Sequence, residues 1–242
     1  MLEIKNLEVR TGDKLIINNF NLDINPGETH VLMGPNGSGK STLCKAIMGH
    51  PKYTITKGSI SVNKKNIKNL ESHERAKLGL FVAMQHPTEI PGVNFSNFLR
   101  LAYNSRFGKD KKIPVFKFRK ILKDKLKILD FSEKFLERNL NEGFSGGEKK
   151  KAEILQLAVL EPKYAILDET DSGLDIDALK TVFNGLKEIQ NKNKQMAFLI
   201  ITHYEKIFEF ISPDFIHVFK DGSIVETGGM EIIEKIHKQG YL

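Results

Sequence analysis

Cysteine is nearly missing from this sequence: its 242 residues hold one, Cys44. A single thiol excludes an internal disulfide and offers no metal-ligand spacing. Long hydrophobic runs are missing too. No apolar stretch approaches the roughly 20 residues that a bilayer span requires. The opening Met1-Leu2-Glu3-Ile4-Lys5 alternates as a strand does and does not read as a leader. Neither an internal repeat nor a low-complexity linker breaks the chain, so one large domain, or one domain with an inserted lobe, is expected. The net charge of +7 is spread through a chain rich in Lys, Asn and Ile. It reads as compositional bias and is weak evidence for a nucleic-acid or membrane surface.

What the sequence does have is Gly34-Pro35-Asn36-Gly37-Ser38-Gly39-Lys40-Ser41-Thr42, a full match to the phosphate-binding loop G-x-x-x-x-G-K-[ST]. Thr29–Met33 before it reads as a short buried strand and Leu43–Met48 after it as a helix, the context the motif needs. Glycines let backbone N–H groups turn inward on a polyphosphate, and the helix N-terminus adds partial positive charge. Lys40 is then placed to reach the β- and γ-phosphates, and Ser41 to hold Mg²⁺. Cys44, on the following helix, reads as a small buried residue. A nucleotide is the expected ligand.

Strands are expected at Leu2–Val9, Asn19–Ile24, Ser59–Val62 and Leu80–Met84, the last as a run covered on both faces. Asp13-Lys14 fills a turn after Gly12, and Ser72–Ala76 reads as a capped helix. From Pro87 the texture becomes helical: Ser96–Tyr103, then Phe118, Ile121, Leu122, Leu126 and Leu129 at helical spacing. Residues 87–143 are therefore read as an inserted helical lobe within a single domain, 1–242, whose α/β core is 1–86 and 144–242. The basic stretch Lys109 to Lys127 could be a nucleic-acid patch, but its charges fall between the apolar positions and fit a solvated helix face better. A helix capped at Ser145, a strand at Tyr164–Leu167, a helix at Ile176–Gln190 and a strand at Ala197–Ile201 follow. A hairpin turning at Lys220-Asp221-Gly222 and a helix at Glu231–Lys238 complete the chain.

Four buried runs each end in polar chemistry: Met33 at the loop, Met84 at Gln85, Leu167 at Asp168-Glu169, and Thr202 at His203. In an open parallel sheet ligands lie beyond the carboxyl ends of the strands, so these groups are expected to share one site. Asp168 fits the acid that completes a Mg²⁺ shell. Glu169 is placed to orient attacking water as a general base. His203 could position the γ-phosphate, and Gln85 offers a neutral carbonyl to Mg²⁺ or water. Phe144-Ser145-Gly146-Gly147-Glu148 has capping-box spacing; it is either a plain capped helix or a second phosphate cradle made of Ser145, Gly146 and Gly147.

In this order, Gly34–Thr42, Gln85, Phe144–Glu148, Tyr164–Glu169, Ser172-Gly173-Leu174-Asp175 and His203 resemble an ATP-binding-cassette ATPase over essentially the whole chain. The resemblance implies an α/β fold: a P-loop NTPase core of the ATP-binding-cassette type with an antiparallel β lobe and an inserted α-helical lobe. It also implies two copies head to tail, each ATP held between one chain's phosphate loop and the other's Ser145–Gly147, with Asp175 on the loop that crosses the interface. The details resemble the SufC-type branch, which serves iron–sulfur cluster assembly. They include Gly49-His50-Pro51-Lys52-Tyr53, Gln85-His86-Pro87, Asp168-Glu169-Thr170-Asp171, Thr202-His203-Tyr204 and the ending Gln239-Gly240-Tyr241-Leu242, which leaves no regulatory extension.

That branch implies a soluble ATPase using ATP and Mg²⁺, partnered by SufB and SufD and by a second copy of itself. No nucleic acid and no membrane insertion are implied, and the location is cytoplasmic, or the plastid stroma in a plastid-bearing source. Pro87, Ile90, Pro91, Val93 and Phe95 form the candidate docking patch. The alternative is the ATP-binding subunit of a membrane transporter. One departure stands out: Thr11 falls where such ATPases commonly stack an aromatic ring on adenine.

Overall fold

Alternation of apolar and polar residues makes the N-terminal region a sheet. In β1 (Leu2–Thr11) Leu2, Ile4, Leu7 and Val9 are buried, while Lys5 and Asn6 face solvent. The computed structural model describes residues 1–107 and 112–241, so Lys109 and Lys111 of the basic stretch, and Leu242, lie outside the described residues. β2 (Lys14–Ile24) returns against β1 through Gly12-Asp13, with Thr11 paired to Lys14. Lys14 thus opens the strand and is not part of the turn, because a two-residue link already closes the hairpin. β3 (Thr29–Met33) leaves this layer. β4 (Thr54–Val62) and β5 (Lys65–Asn66) complete an antiparallel sheet ordered β2-β1-β4-β5.

The second sheet is built from β3, β6 (Leu80–Ala83), β7 (Tyr164–Asp168), β8 (Ala197–Ile201), β9 (Phe215–Lys220) and β10 (Ser223–Gly228), in the order β10-β9-β3-β8-β7-β6. β9 through β6 run parallel, and β10 is antiparallel to β9. β3, β7 and β8 are buried at every position, as expected for parallel strands covered on both faces. β6 is the exception. It is an edge strand: Phe81 and Val82 are half-buried, while Leu80 and Ala83, on opposite faces, are buried, so both faces are covered in part, and the strand ends at Ala83 rather than at the expected Met84. An apolar run alone does not distinguish an edge from a centre.

The chain forms two compact units. The first holds both sheets and comprises residues 1–85, 162–170 and 194–242. It includes α1 (Lys40–Ile47) and α2 (Ser72–Lys77). Its core joins the sheets to α1, with Leu43, Cys44 and Ile47 buried and Phe20 edge-on to Phe219 at 5.6 Å. Burial raises the Cys44 thiol well above its usual range, which keeps it protonated and unreactive.

The second unit comprises residues 86–161 and 171–193. Its helices are α3 (Phe95–Asn104), α4 (Val115–Leu129), α5 (Gly146–Leu160) and α6 (Ile176–Lys192), with a 3-10 turn at Glu133–Glu137. It is larger than the expected 87–143 lobe because α5 and α6 pack with α3 and α4, which local periodicity does not reveal. On α4, Phe118, Leu122, Leu126 and Leu129 of the expected stripe are buried, while Ile121, at its edge, is half-buried. Phe95 is fully buried against Phe135 and Phe144, so it drops out of the candidate docking patch. Ile90, Pro91 and Val93 are exposed, and Pro87 is half-buried.

One buried polar pair in the first unit predicts a pH dependence. His30 on β3 and His217 on β9 share a hydrogen bond of 2.9 Å, extended at one end by Glu28 and at the other by Thr227. Burial, with the His30 ring beside it, lowers the His217 pKa from 6.5 to about 4. An unfolded chain takes up that proton more readily, so the stabilisation is complete above pH 6.5 and is lost as pH falls toward 4. The loss amounts to about 3 kcal/mol. Urea unfolding at about pH 7, 5.5 and 4.5 checks this, and His217→Gln should flatten the slope. An unchanged slope in the variant overturns the assignment.

Candidate functional site

The phosphate loop follows β3, which lies between β9 and β8 in the parallel sheet. Gly39 precedes α1 at φ +110°, and the first turn of α1 carries no acidic residue, so its N–H groups and partial positive charge are open to an anion. Gly34 is required by crowding: a Cβ there would lie 2.0 Å from the Phe219 carbonyl. Lys40 Nζ donates to the Gly34 and Pro35 carbonyls at 2.8 and 2.9 Å, and burial lowers its pKa. Ser38 is buried, and its Oγ has no hydrogen-bond partner among the described residues.

The loop is braced from the hairpin Phe215–Gly228. Gly222 N–H donates to the Ser38 carbonyl at 3.2 Å, and the Gly222 carbonyl accepts from Asn18 N–H at 3.0 Å. Asp221 and Gly222 take φ +49° and +81°, the pair of positive values that a type I′ turn demands. A Cβ on Gly222 would lie 2.3 Å from the Ile16 carbonyl. Gly222→Ala is therefore expected to cost about 1–3 kcal/mol of stability and to weaken nucleotide binding, checked by thermal unfolding and equilibrium titration.

The polar strand ends do converge within this unit. Ser41 Oγ donates to Asp168 Oδ1 at 3.2 Å. Gln85 Nε2 donates to Glu169 Oε2 at 2.5 Å, and His203 Nδ1 stands 3.7 Å from Glu169 Oε1. Glu169 occupies the left-handed region, φ +47°, anchored by its own N–H donating to the Ile201 carbonyl at 2.9 Å. Such a conformation costs a bulky residue of order 1–3 kcal/mol; here it accompanies a carboxylate gripped by Gln85. His203 is offered to solvent, and Thr202 Oγ accepts from Tyr204 N–H at 2.8 Å, which pins its neighbours.

The remaining expected residues belong to the helical unit. Ser145 Oγ accepts from Glu148 N–H at 3.2 Å and the Glu148 carboxylate accepts from Ser145 N–H at 2.8 Å, a full capping box. Asp175 caps α6 through Ala178 N–H at 2.7 Å. A Cβ on Gly147 would lie 3.5 Å from Ala178 Cβ, while one on Gly146 meets nothing within 4 Å. Sequence reasoning missed Arg138, whose guanidinium lies 2.5 Å from Glu148, donates to the Gly143 carbonyl and stacks 4.1 Å over Phe144. It also missed the role of Gly222. Gly222 acts on Ser38 and Asn18, which are distant in sequence, whereas Arg138 acts on Gly143, Phe144 and Glu148, five to ten residues on, through contacts that no periodic pattern marks.

Comparison with known proteins agrees with this geometry. A family model described as ABC transporter matches residues 17–172. A probable ATP-dependent transporter ycf16 of Antithamnion sp. is 48% identical over 243 residues, covering 100% of this chain and 96% of the relative. A probable ABC transporter ATP-binding protein of Streptococcus pyogenes is 50% identical over 241 residues, covering 100% and 93%. Among solved structures, a dimeric ATP-binding cassette in a post-hydrolysis state with ADP and Pi aligns with a TM-score of 0.80 at 22% identity, covering 95% of this chain and 99% of that one.

Proposed function

From a chain that belongs to the ABC transporter family and is an ATPase, we propose the action of a SufC-type subunit on a SufB/SufD-like iron–sulfur cluster scaffold. Two copies, head to tail, close on ATP, each a single cassette domain. The observation that carries this reading is the convergence of Ser41–Asp168 and Gln85–Glu169–His203 beside one phosphate loop. With one cysteine in the chain, cluster ligands come from partners. Ile90, Pro91 and Val93, exposed beside Pro87, are the docking patch. The place of action is the cytoplasm, or the stroma in a plastid-bearing source.

The residues fit the nucleotide and its metal. Ser38 Oγ, buried without a partner among the described residues, has its O–H free to donate to a phosphate oxygen. Ser41, Asp168 and the Gln85 carbonyl are hard oxygen donors suited to Mg²⁺, which when bound neutralises charge developing on the phosphate oxygens. Lys40 transfers its donors from the loop carbonyls to phosphate. Glu169 accepts the proton of attacking water, Gln85 fixes the carboxylate's orientation, and His203 donates toward the γ-phosphate. Ser145, Gly146, Gly147 and Asp175 act on the partner copy's nucleotide.

Purification of the native complex tests the partner: SufB- and SufD-like soluble proteins support the reading. A partner that requires detergent supports a transporter subunit instead, the reading favoured by the names of the relatives. Thr11, half-buried at the end of β1, provides no ring for adenine. Losing a base–aromatic stack of about 1–3 kcal/mol should leave ATP and GTP bound within roughly tenfold of each other. A stronger preference in competition titrations contradicts it.

A further inference from the structure

The phosphate-loop motif fixes Gly34, Gly39, Lys40 and Ser41 and leaves the positions between them open. At two of these the chain places Asn36-Gly37, and the same dipeptide recurs once more, as Asn184-Gly185 in α6. An asparagine side chain before glycine is open to attack by the glycine nitrogen, because no Cβ shields that nitrogen and the backbone there turns easily. What holds the two residues decides whether the attack takes place.

At the loop little holds them. Asn36 and Gly37 are both exposed. Gly37 has φ +83°, and a Cβ on it would meet nothing within 4 Å. Neither the Asn36 side-chain amide nor the Gly37 N–H has a hydrogen-bond partner among the described residues. The tip is closed by Ser38 N–H donating to the Pro35 carbonyl at 3.3 Å, a long bond that opposes backbone rotation weakly. The first turn of α1 carries no acidic residue, and its partial positive charge favours the nitrogen anion that attacks and the oxyanion that follows. Related dipeptides elsewhere are shut. Asn184 is exposed too, but within α6 the Gly185 N–H is committed to the carbonyl four residues back, and a Cβ on Gly185 would lie 3.0 Å from Ile154. At Asp221-Gly222 the Gly222 N–H is given to the Ser38 carbonyl at 3.2 Å.

We propose that Asn36-Gly37 is a self-modification site controlled by nucleotide, an inference that rests on the phosphate loop binding one. The Gly37 nitrogen bonds to Asn36 Cγ, the Cγ–Nδ2 bond breaks, and Nδ2 leaves as ammonia with the proton from the Gly37 nitrogen. Water then opens the cyclic imide at either carbonyl. The product is aspartate, or isoaspartate with an extra methylene in the main chain. One water enters and one ammonia departs, with no change of oxidation state. Either product sets a carboxylate where a polyphosphate lies, and like charges at that range repel. A phosphate oxygen that accepts from Gly37 N–H engages the attacking nitrogen and stiffens the tip. A chain that keeps its nucleotide therefore keeps its amide, and an idle one loses its grip on phosphate.

The test incubates the full chain at mildly alkaline pH alone, with Mg²⁺ and a non-hydrolysable ATP analogue, or with Mg²⁺ and adenosine. Peptide mass mapping follows the amides of Asn36 and Asn184, and isoaspartyl methyltransferase labels the isomerised product. Asn36 should convert well ahead of Asn184. Analogue at about ten times its Kd should slow that conversion roughly tenfold, because about a tenth of the loops remain free. Adenosine, which lacks phosphates, should not slow it. The converted chain, and Asn36→Asp made directly, should bind the analogue at least roughly tenfold more weakly. Conversion of Asn184 at the same rate, equal rates with and without bound analogue, or undiminished binding by the converted chain overturns the proposal. Failure of the fresh chain to bind the analogue counts against the nucleotide reading instead, and the comparison of Asn36 with Asn184 still decides whether the loop modifies itself.

Discussion

Glu169→Gln is expected to hold ATP as tightly as the parent while hydrolysing it about 10²–10⁴ times more slowly, the usual weight of a positioned general base. The substitution is conservative in geometry. Glutamine keeps an oxygen where Glu169 Oε2 now accepts from Gln85 at 2.5 Å, so the Gln85 contact and the left-handed backbone at φ +47° are retained. Only the proton acceptor is lost. With the γ-phosphate uncleaved, two copies should stay closed on ATP, visible as an ATP-dependent dimer in size-exclusion chromatography. Single-turnover hydrolysis at the parental rate would remove Glu169 from the role of base. His203 stands 3.7 Å from the same carboxylate, so His203→Ala should also slow turnover without abolishing binding.

The second large effect is on stability. Arg75 on α2 is buried, makes no ion pair among the described residues and is held by backbone oxygens. Its Nη1 donates to the Ala46 and Ile47 carbonyls, Nε to Leu70 and Nη2 to Lys68, all within 2.8–3.0 Å. Ala46 and Ile47 are at the C-terminus of α1, where carbonyls lack helical partners and partial negative charge collects. One guanidinium therefore caps the helix that follows the phosphate loop and ties it to the segment after β5. Arg75→Ala leaves the Ile47, Lys68 and Leu70 carbonyls to find water, while Ala46 keeps the Gly49 N–H, and should cost about 3–4 kcal/mol. At roughly 2–4 °C per kcal/mol for a chain of this size, the melting temperature falls by about 10 °C. Arg75→Lys should recover less than half of this, because one ammonium cannot span four oxygens set around a planar fork. A calorimetric shift below about 3 °C would show the clamp to be dispensable.

The two results also show where reading the sequence succeeds. Glu169 was found because buried parallel strands announce themselves as short apolar runs, and their carboxyl ends are where such sheets place chemistry. Asp168, Gln85 and His203 were found in the same way, and Ser41 from the phosphate-loop motif. Arg75 was not: within Ser72–Ala76 it reads as one charge of a polar helix, and its four acceptors come from positions that no pattern links to it. Register faults have the same origin. The run from Leu80 reads as a covered strand, and only the strand order, in which no described strand lies beyond β6, makes it an edge. Phe95 looked available for docking until Phe135 and Phe144, some 40 and 49 residues on, closed around it. The helical unit outgrew its expected limits because α6 reaches it from the far side of β7. What was legible was periodic and local; what was missed depends on which distant segment arrives.

The chain passes from one unit to the other four times, and the hydrogen bond between Gln85 and Glu169 touches two of those passages. Gln85 is the last residue before the first crossing, and Glu169 stands one residue before the end of the short β7 segment, at the third. These two strands of covalent chain are thus buckled together by a side-chain pair whose carboxylate is also the proposed base. The two points at which the chain leaves the first unit for the second are held by the side chain proposed to activate water.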